Sequence, residues 1–298
     1  MLDYKLLEAL AMVVREGGFD KAATVLCLTQ SAVSQRVRQL EERVGQVLLS
    51  RGTPPRPTTV GQVYLKHYNR VRLLEEDLEG LQKPTSAGTF VSVPVGVNAD
   101  SLETWFMDSV DPFLREHSAL LDLRVDDQDQ THRYLKLGEV VGCVSTEAKP
   151  MQGCVCYELG EMSYRMMGTP EFVDRWFSKG IDWESALCAP AVIFSRDDQL
   201  HHRQMRQAFG KAPARLTAHY VPSAEPFLRM IRSGFAYGML PDLQSSELTA
   251  SGALVEIIPD QSISVRLFWH CWNLESELLQ ALTGCVRSGA KRFLQQSR

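Results

Sequence analysis

Thr29-Gln-Ser-Ala-Val-Ser-Gln-Arg-Val-Arg-Gln-Leu-Glu-Glu-Arg-Val-Gly45 decides how the rest of this chain is read. Val33, Val37, Leu40 and Val44 recur at i, i+4, i+7 and i+11, the period of one buried helical stripe. Thr29 is suited to cap the start of that helix, and Gly45 to end it in the left-handed region. The opposite face carries Gln30, Ser31, Ser34, Gln35, Arg36 and Arg38. Amide forks match adenine, guanidinium forks match guanine or phosphate, and hydroxyls match phosphate. All six lie in the turns that enter a major groove. An ordinary solvated helix would carry a mixture of Glu and Lys there instead. Ahead of this segment, Phe19 to Thr29 reads as a short helix whose Ala22 and Ala23 let a second helix approach closely, followed by a polar turn. The pair is a helix-turn-helix.

Downstream, Gln46-Val-Leu-Leu-Ser-Arg51 reads as a short strand, and Gly52 to Thr59 as a turn with Arg56 at its tip. Prolines 54, 55 and 57 stiffen the turn, which lowers the entropy lost when Arg56 is placed against a phosphate or in the minor groove. Arg51, Arg56 and Thr58 complete the expected DNA-contacting set. From Thr59 to Gln82 a long helix is expected, with Tyr64, His67, Val71, Leu74, Leu78 and Leu81 at spacings of three and four. Such an a/d seam needs a partner, either a second copy of the helix or the chain's own domain.

Ala22-Ala23, Thr29 to Ser34, Leu40-Glu41, Leu48-Leu-Ser-Arg51 and the basic wing resemble the DNA-binding domain of the LysR-type transcriptional regulators. The resemblance implies double-stranded promoter DNA as the partner. It also implies a homodimer held by Val71, Leu74, Leu78 and Leu81, with tetramers and contact with RNA polymerase left open.

Lys83 to Thr89 reads as a hinge, beyond which strands and helices alternate. Strands are expected at 90–97, 120–125, 140–144, 154–159, 162–168, 190–194, 216–221, 236–239, 253–257 and 263–271. Helices are expected at 101–116, 131–137, 170–178, 198–209, 223–233 and from Glu275 to about Gln295. This alternation implies a mainly parallel sheet and resembles the periplasmic-binding-protein-like effector domain of the same family. The expected fold is an all-α winged helix-turn-helix with a linker helix, followed by a two-lobed α/β domain. Its divisions are a winged domain (1–58), a dimerising linker helix (59–82), a hinge (83–89) and an effector domain (90–298). Lobe I covers about 90–162 and 266–298, and lobe II about 163–265.

Composition agrees with two domains in a chain of 298 residues. The formal net charge of −4 divides into +1 for residues 1–82 and −5 for the remainder. DNA affinity therefore rests on a local arginine stripe (36, 38, 43, 51, 56) and on dimerisation rather than on bulk charge. Met-Leu-Asp-Tyr-Lys at the start has no cationic segment leading into an apolar run, and no stretch approaches a membrane span. A cytoplasmic address without membrane contact is expected. Seven scattered cysteines, an odd number without Cys-x-x-Cys, point to reduced structural thiols. Cys154-x-Cys156 fits a soft metal or, more simply, alternate strand positions. Enzyme signatures are missing: no G-x-G-x-x-G, Walker loop, H-E-x-x-H or G-x-S-x-G. His201-His202 reads as a solvated pair. No catalytic residue, metal or cofactor is expected.

In open α/β sheets a small molecule binds at the carboxyl ends of the strands. Five turns occupy such places: Asn98 to Ser101, Asp126 to Gln130, Ser145 to Glu147, Arg196 to Asp198, and Ser223 to Glu225. They hold eight carboxylates (Asp100, Asp126, Asp127, Asp129, Glu147, Asp197, Asp198, Glu225) against the single cation Arg196. A cationic ligand fits this field and an anion does not. The expected contact set is Asn98, Asp100, Ser101, Asp126, Asp127, Ser145, Thr146, Ser223 and Glu225, although Asp and Ser at such turns also serve as helix caps. Pro54 to Thr58, Val97 to Trp105, Gly138 to Gly142 and Ser223 to Phe227 look like the ArgP/LysG group of the family. That group senses lysine and arginine, controls amino-acid export, and is also described as an inhibitor of chromosome initiation. Pro222 and Gln128 depart from the pattern and leave lysine and arginine both open. Two other classes remain: an architectural or replication-control DNA-binding protein whose C-terminal lobes only oligomerise, and a solute-binding protein with a helical extension.

Overall fold

The computed structural model describes residues 2–50, 52–82, 90–126 and 131–296, with backbone alone at 76, 77 and 79–82. Tyr4–Glu16 (α1), Phe19–Val25 (α2) and Gln30–Val44 (α3) form a tri-helical unit, and Thr59–Gln82 (α4) leaves it as one continuous helix. Asp3 caps α1 by accepting from the Lys5 amide. Leu7, Leu10 and Val13 of α1 then meet Val33, Val37 and Leu40 of α3, with Ala22 and Ala23 letting α2 approach closely. Leu48, Leu65 and Tyr68 close this core. The helix α1 has no counterpart in the sequence reading, although its apolar residues fall at helical spacing.

Two local expectations need correction. The first helix of the pair stops at Val25 rather than Thr29, because Cys27 takes a left-handed φ of 53°. The expected strand at 46–51 reduces to one antiparallel bridge, Leu49 with Pro57. Prolines in the turn supply no N–H to extend a ladder.

The second domain begins with β1 (Val91–Asn98). It leads into one helical run composed of α5 (Ala99–Ser101), a π turn (Leu102–Phe106) and α6 (Met107–Glu116). Then come β2 (Ala119–Asp126), α7 (His132–Leu137), β3 (Gly142–Ser145) and β4 (Cys154–Gly168). Next are α8 (Pro170–Trp176), α9 (Trp183–Cys188), β5 (Ala191–Ile193), α10 (Leu200–Phe209), β6 (Ala218–Tyr220) and α11 (Ala224–Arg232). The chain ends with β7 (Tyr237–Pro241), α12 (Asp242–Ala250), β8 (Val255–Glu256), β9 (Ile263–Trp272) and α13 (Glu277–Phe293).

The strands follow the order β2-β1-β3-β9-β4-β7-β5-β6, with β8 on β4. Parallel pairing holds at the two flanks, β1 with β2 and β3, and β5 with β6 and β7. Through the middle β4 runs antiparallel to both β9 and β7. The sheet is thus mixed rather than mainly parallel. The two segments expected at 154–159 and 162–168 are one strand, whose register against β9 shifts between Glu158 and Gly160. Trp269, Trp272 and Tyr164 are fully buried along these central strands. Trp269 Nε1 donates to Thr283 Oγ1 at 3.0 Å, which satisfies the indole where α13 covers the sheet. Short helices α9 and α12 were not foreseen.

Candidate functional site

On α3 the Thr29 hydroxyl accepts from the Ala32 amide at 3.2 Å, and Gly45 ends the helix at φ 74°. Gln30, Ser31, Gln35 and Arg38 are exposed, with Ser34 and Arg36 half-buried beside them. No ion pair among the described residues engages Arg36, Arg38 or Arg56. Arg43 does have a carboxylate neighbour, Asp3 at 3.5 Å, so it ties α3 to α1. Arg51 lies outside the described residues. Thr58 departs from its expected role: its hydroxyl donates to the Val47 carbonyl at 2.8 Å and accepts from the Gly61 amide at 3.1 Å. It anchors the start of α4 and has little left for a phosphate. Glu41, which the sequence reading did not single out for this purpose, accepts from the amides of Leu48 and Leu49 at 2.7 and 3.2 Å. The carboxylate thereby fixes the exit from α3 into the wing.

Along α4, burial alternates between two domains. Leu65 and Tyr68 complete the N-terminal core, while Leu73 enters the core of the C-terminal domain. Asn69 Nδ2 donates to the Gly138 carbonyl at 2.7 Å, and Arg70 donates to the Gly153 carbonyl at 3.0 Å beneath the Trp272 ring. On the outer face Leu74 remains 37% exposed and Leu78 59%, with Val71 half-buried. Two of the four seam residues therefore have apolar surface left for a partner, and the side chain of Leu81 lies outside the description.

Between the lobes, Asn98, Asp100 and Asp126 from the ends of β1 and β2 face Phe194, Asp198 and Leu200 from the turn after β5. They line a part-open cavity of about 20 Å³, enough for about one water. Asn98 is only 2% exposed, yet neither polar atom of its amide has a partner among the described residues. The Ser101 hydroxyl, fully buried one turn later, has none either. Unsatisfied buried polar atoms cost about 1–3 kcal/mol each, so the pair is a standing demand for a ligand or ordered water. The π turn that follows Ser101 is the kind of helical irregularity that accompanies functional sites.

The carboxylates are held by their own neighbours. Tyr164 donates to Asp100 at 2.7 Å and Tyr134 to Asp126 at 2.9 Å. Burial first, and then the Asp126 carboxylate, push the Tyr134 phenol above its ordinary pKa. Asp198 accepts from the amide of Leu200, the first residue of α10, at 2.8 Å. Among the described residues, Glu147, Asp197 and Glu225 of the expected acidic ring do not line this cavity. Glu225 is exposed and paired with Arg229 on its own helix at 3.5 Å, and Ser223 is exposed. Ser145 is fully buried and accepts from the Glu147 amide, while Thr146 beside it is half-buried. Asp127 and Asp129 lie outside the described residues. Arg196 stacks over Tyr220 at 4.6 Å.

His201 corrects another expectation. It is fully buried against Tyr237, neither ring nitrogen has a partner among the described residues, and burial lowers its pKa to about 4. Cys154 and Cys156 occupy alternate positions of β4, and burial raises both thiols. No group of three or more His, Cys, Asp or Glu among the described residues is placed to hold a metal ion. Nor is any described helix long and apolar enough to cross a membrane.

Residues 4–62 match the bacterial regulatory helix-turn-helix proteins of the lysR family, and residues 92–291 match the LysR substrate binding domain. The chain belongs to the LysR family. This regulator is 43% identical over 284 residues to the HTH-type transcriptional regulator ArgP of Pseudomonas fluorescens, covering 95% of this chain and 94% of that one. The crystal structure of ArgP from Mycobacterium tuberculosis superposes with a TM-score of 0.86 at 37% identity, each chain fully covered. Full-length LysG from Corynebacterium glutamicum with bound effector Arg gives a TM-score of 0.78 at 31% identity, over 99% of this chain and all of that one. The regulator is thus of the ArgP/LysG type, a DNA-binding transcription factor rather than an enzyme.

Proposed function

We propose that this regulator senses a basic amino acid, lysine or arginine, in the cleft between its lobes and adjusts promoter binding accordingly. The observation that carries the reading is the Asn98 amide, 2% exposed and unpartnered, set among Asp100, Asp126 and Asp198. An amino acid supplies what these groups lack. Its carboxylate accepts from the Asn98 amide and Ser101 hydroxyl, and its side-chain cation meets the carboxylates, as charge-assisted hydrogen bonds favour. The arginine found in LysG supports the same chemistry. Because the space between them holds about one water, admission of an amino acid requires the two walls of the cleft to separate.

On DNA, Gln30, Ser31, Ser34, Gln35, Arg36 and Arg38 read the major groove while Arg56 engages the backbone beside it. The protein acts in the cytoplasm as a homodimer through the outer face of α4, at promoters of amino-acid transport or metabolism genes, where RNA polymerase is the next partner. A C-terminal part that only oligomerises has no use for an unpartnered buried amide. Thermal-shift and calorimetric titration of the full chain with the twenty amino acids tests the reading. Binding of lysine or arginine is expected; binding of an anionic metabolite with no response to either would overturn it.

A further inference from the structure

Asp126 lines two cavities at once. One is the inter-lobe cleft; the other, about 700 Å³, lies between the DNA-binding unit and the C-terminal domain and is also lined by Tyr134, Asn69 and Arg56. The carboxylate that closes one side of the cleft accepts from Tyr134, the third residue of α7. Four residues later α7 has ended at Gly138, whose carbonyl accepts from Asn69 of α4. The approach is close: a Cβ on Gly138 would lie 2.9 Å from the Cα and Cβ of Lys66, and φ there is +77°. Glycine at this point lets two helices touch through backbone, so displacement of α7 is passed on rather than absorbed by a flexible side chain.

We propose that Tyr134 is a positioning residue, and that Asp126–Tyr134–α7–Gly138–Asn69 is the connection by which occupation of the cleft reorients the linker helix and the DNA-binding unit. This rests on the effector reading above. A bound cation competes with the Tyr134 hydroxyl for Asp126, and separation of the cleft walls moves the strand end that carries it. With either effect α7 shifts, and α4 follows through Asn69. Since α4 is packed into both cores by Leu65 and Leu73, a change of its seat on the C-terminal domain becomes a change in how the reading helices are presented. The coupling is reciprocal, because DNA binding must alter effector affinity by the same factor.

The test uses the full chain, arginine and lysine as probes, and a duplex selected by the wild-type protein from a random pool. Duplex affinity is measured with and without saturating amino acid for wild type, Tyr134→Phe and Asn69→Ala. The wild-type ratio should lie in the roughly 5–150-fold range of allosteric coupling, while both variants, each measured at an amino-acid concentration that saturates it, bring the ratio to within about twofold of one. Each variant removes one hydrogen bond at a separate joint, so Asn69→Ala still decides the matter if Tyr134→Phe folds poorly. Wild-type coupling retained in both variants, or a wild-type ratio of one, overturns the relay alone. Failure of wild type to bind either amino acid overturns the effector reading and the relay with it.

Discussion

Tyr164 donates to Asp100 across 2.7 Å, joining the buried centre of the sheet to the acidic edge of the inter-lobe cleft. The tyrosine is fully buried, so its ring is fixed and the hydroxyl presents the carboxylate in one orientation. Removing that hydroxyl keeps the packing but takes one hydrogen bond from the carboxylate. Hydrogen bonds to charged groups contribute about 1.5–3 kcal/mol. Tyr164→Phe should therefore weaken arginine or lysine binding roughly tenfold in calorimetry on the full chain. DNA affinity without amino acid should stay unchanged, and an unaltered dissociation constant would remove Asp100 from the contact set.

The reading helix gives a prediction separable from the cleft. Replacing Gln35 or Arg38 by Ala should cost roughly 1–3 kcal/mol on the selected duplex and relax preference at the contacted base. Arg56→Ala should instead weaken all sequences alike and lower the salt slope by about one. Titration at several salt concentrations distinguishes the two patterns. Equal losses on selected and scrambled duplexes for Gln35→Ala would exclude a base contact.

The proposed homodimer would bury Leu74 and Leu78, both exposed on α4. Leu74→Asp combined with Leu78→Asp places charge where two helices would bury apolar surface, an arrangement that desolvation disfavours. Light scattering should then report monomers, and DNA binding should fall steeply as half-site pairing is lost. A persisting dimer would move the interface elsewhere.

Where a residue's role follows from its own local pattern, it was legible before the fold. Thr29, Val33, Val37, Leu40 and Gly45 define α3 because a helical stripe and its two caps are properties of consecutive residues. The concentration of Asp100, Asp126 and Asp198 at strand ends was readable for the same reason, since a βα turn announces where it lies. Placement across the sheet was not. Glu225 and Asp126 look alike in sequence, yet one projects into solvent beside Arg229 while the other closes the cleft. His201 next to His202 in a polar helix gave no sign that one ring would be fully enclosed, because burial there is set by Tyr237, 36 positions away. Tyr164 and Tyr134 were invisible as cleft residues, since each acts through a carboxylate brought to it only by the fold.

His201 makes stability depend on pH in a definite direction. Its imidazole titrates near 6.5 when unfolded, whereas burial holds it to about 4 in the folded chain, with Asp198 opposing and His202 adding to the shift. Between these values the unfolded chain binds the proton and the folded chain does not, so stability rises with pH. The contribution is fully present above about pH 6.5 and is lost as pH falls toward 4, with a size on the order of 3 kcal/mol. His201→Gln should flatten the acid limb of a melting-temperature profile between about pH 6.5 and 4 relative to wild type. Parallel profiles for the two proteins would show that the ring is hydrated in solution.

The two carboxylates that sequence could not tell apart supply the sharpest comparison. Asp126 faces the cleft and is held by Tyr134. Glu225 is 68% exposed and pairs only with Arg229 one turn along its helix. A charge removed from a partly desolvated pair costs several kcal/mol, whereas exposed i,i+4 pairs contribute about 0.3–0.5 kcal/mol. Asp126→Asn should therefore weaken lysine or arginine binding at least about tenfold, and Glu225→Gln should leave it within about twofold. The expectation for Asp126 also has a sign that packing alone would not give: the variant should lose more affinity for the amino acid at low salt than at high salt, because the missing attraction is electrostatic. If Glu225→Gln is the damaging change and Asp126→Asn the silent one, the effector lies toward the start of α11 rather than between β1, β2 and the turn after β5.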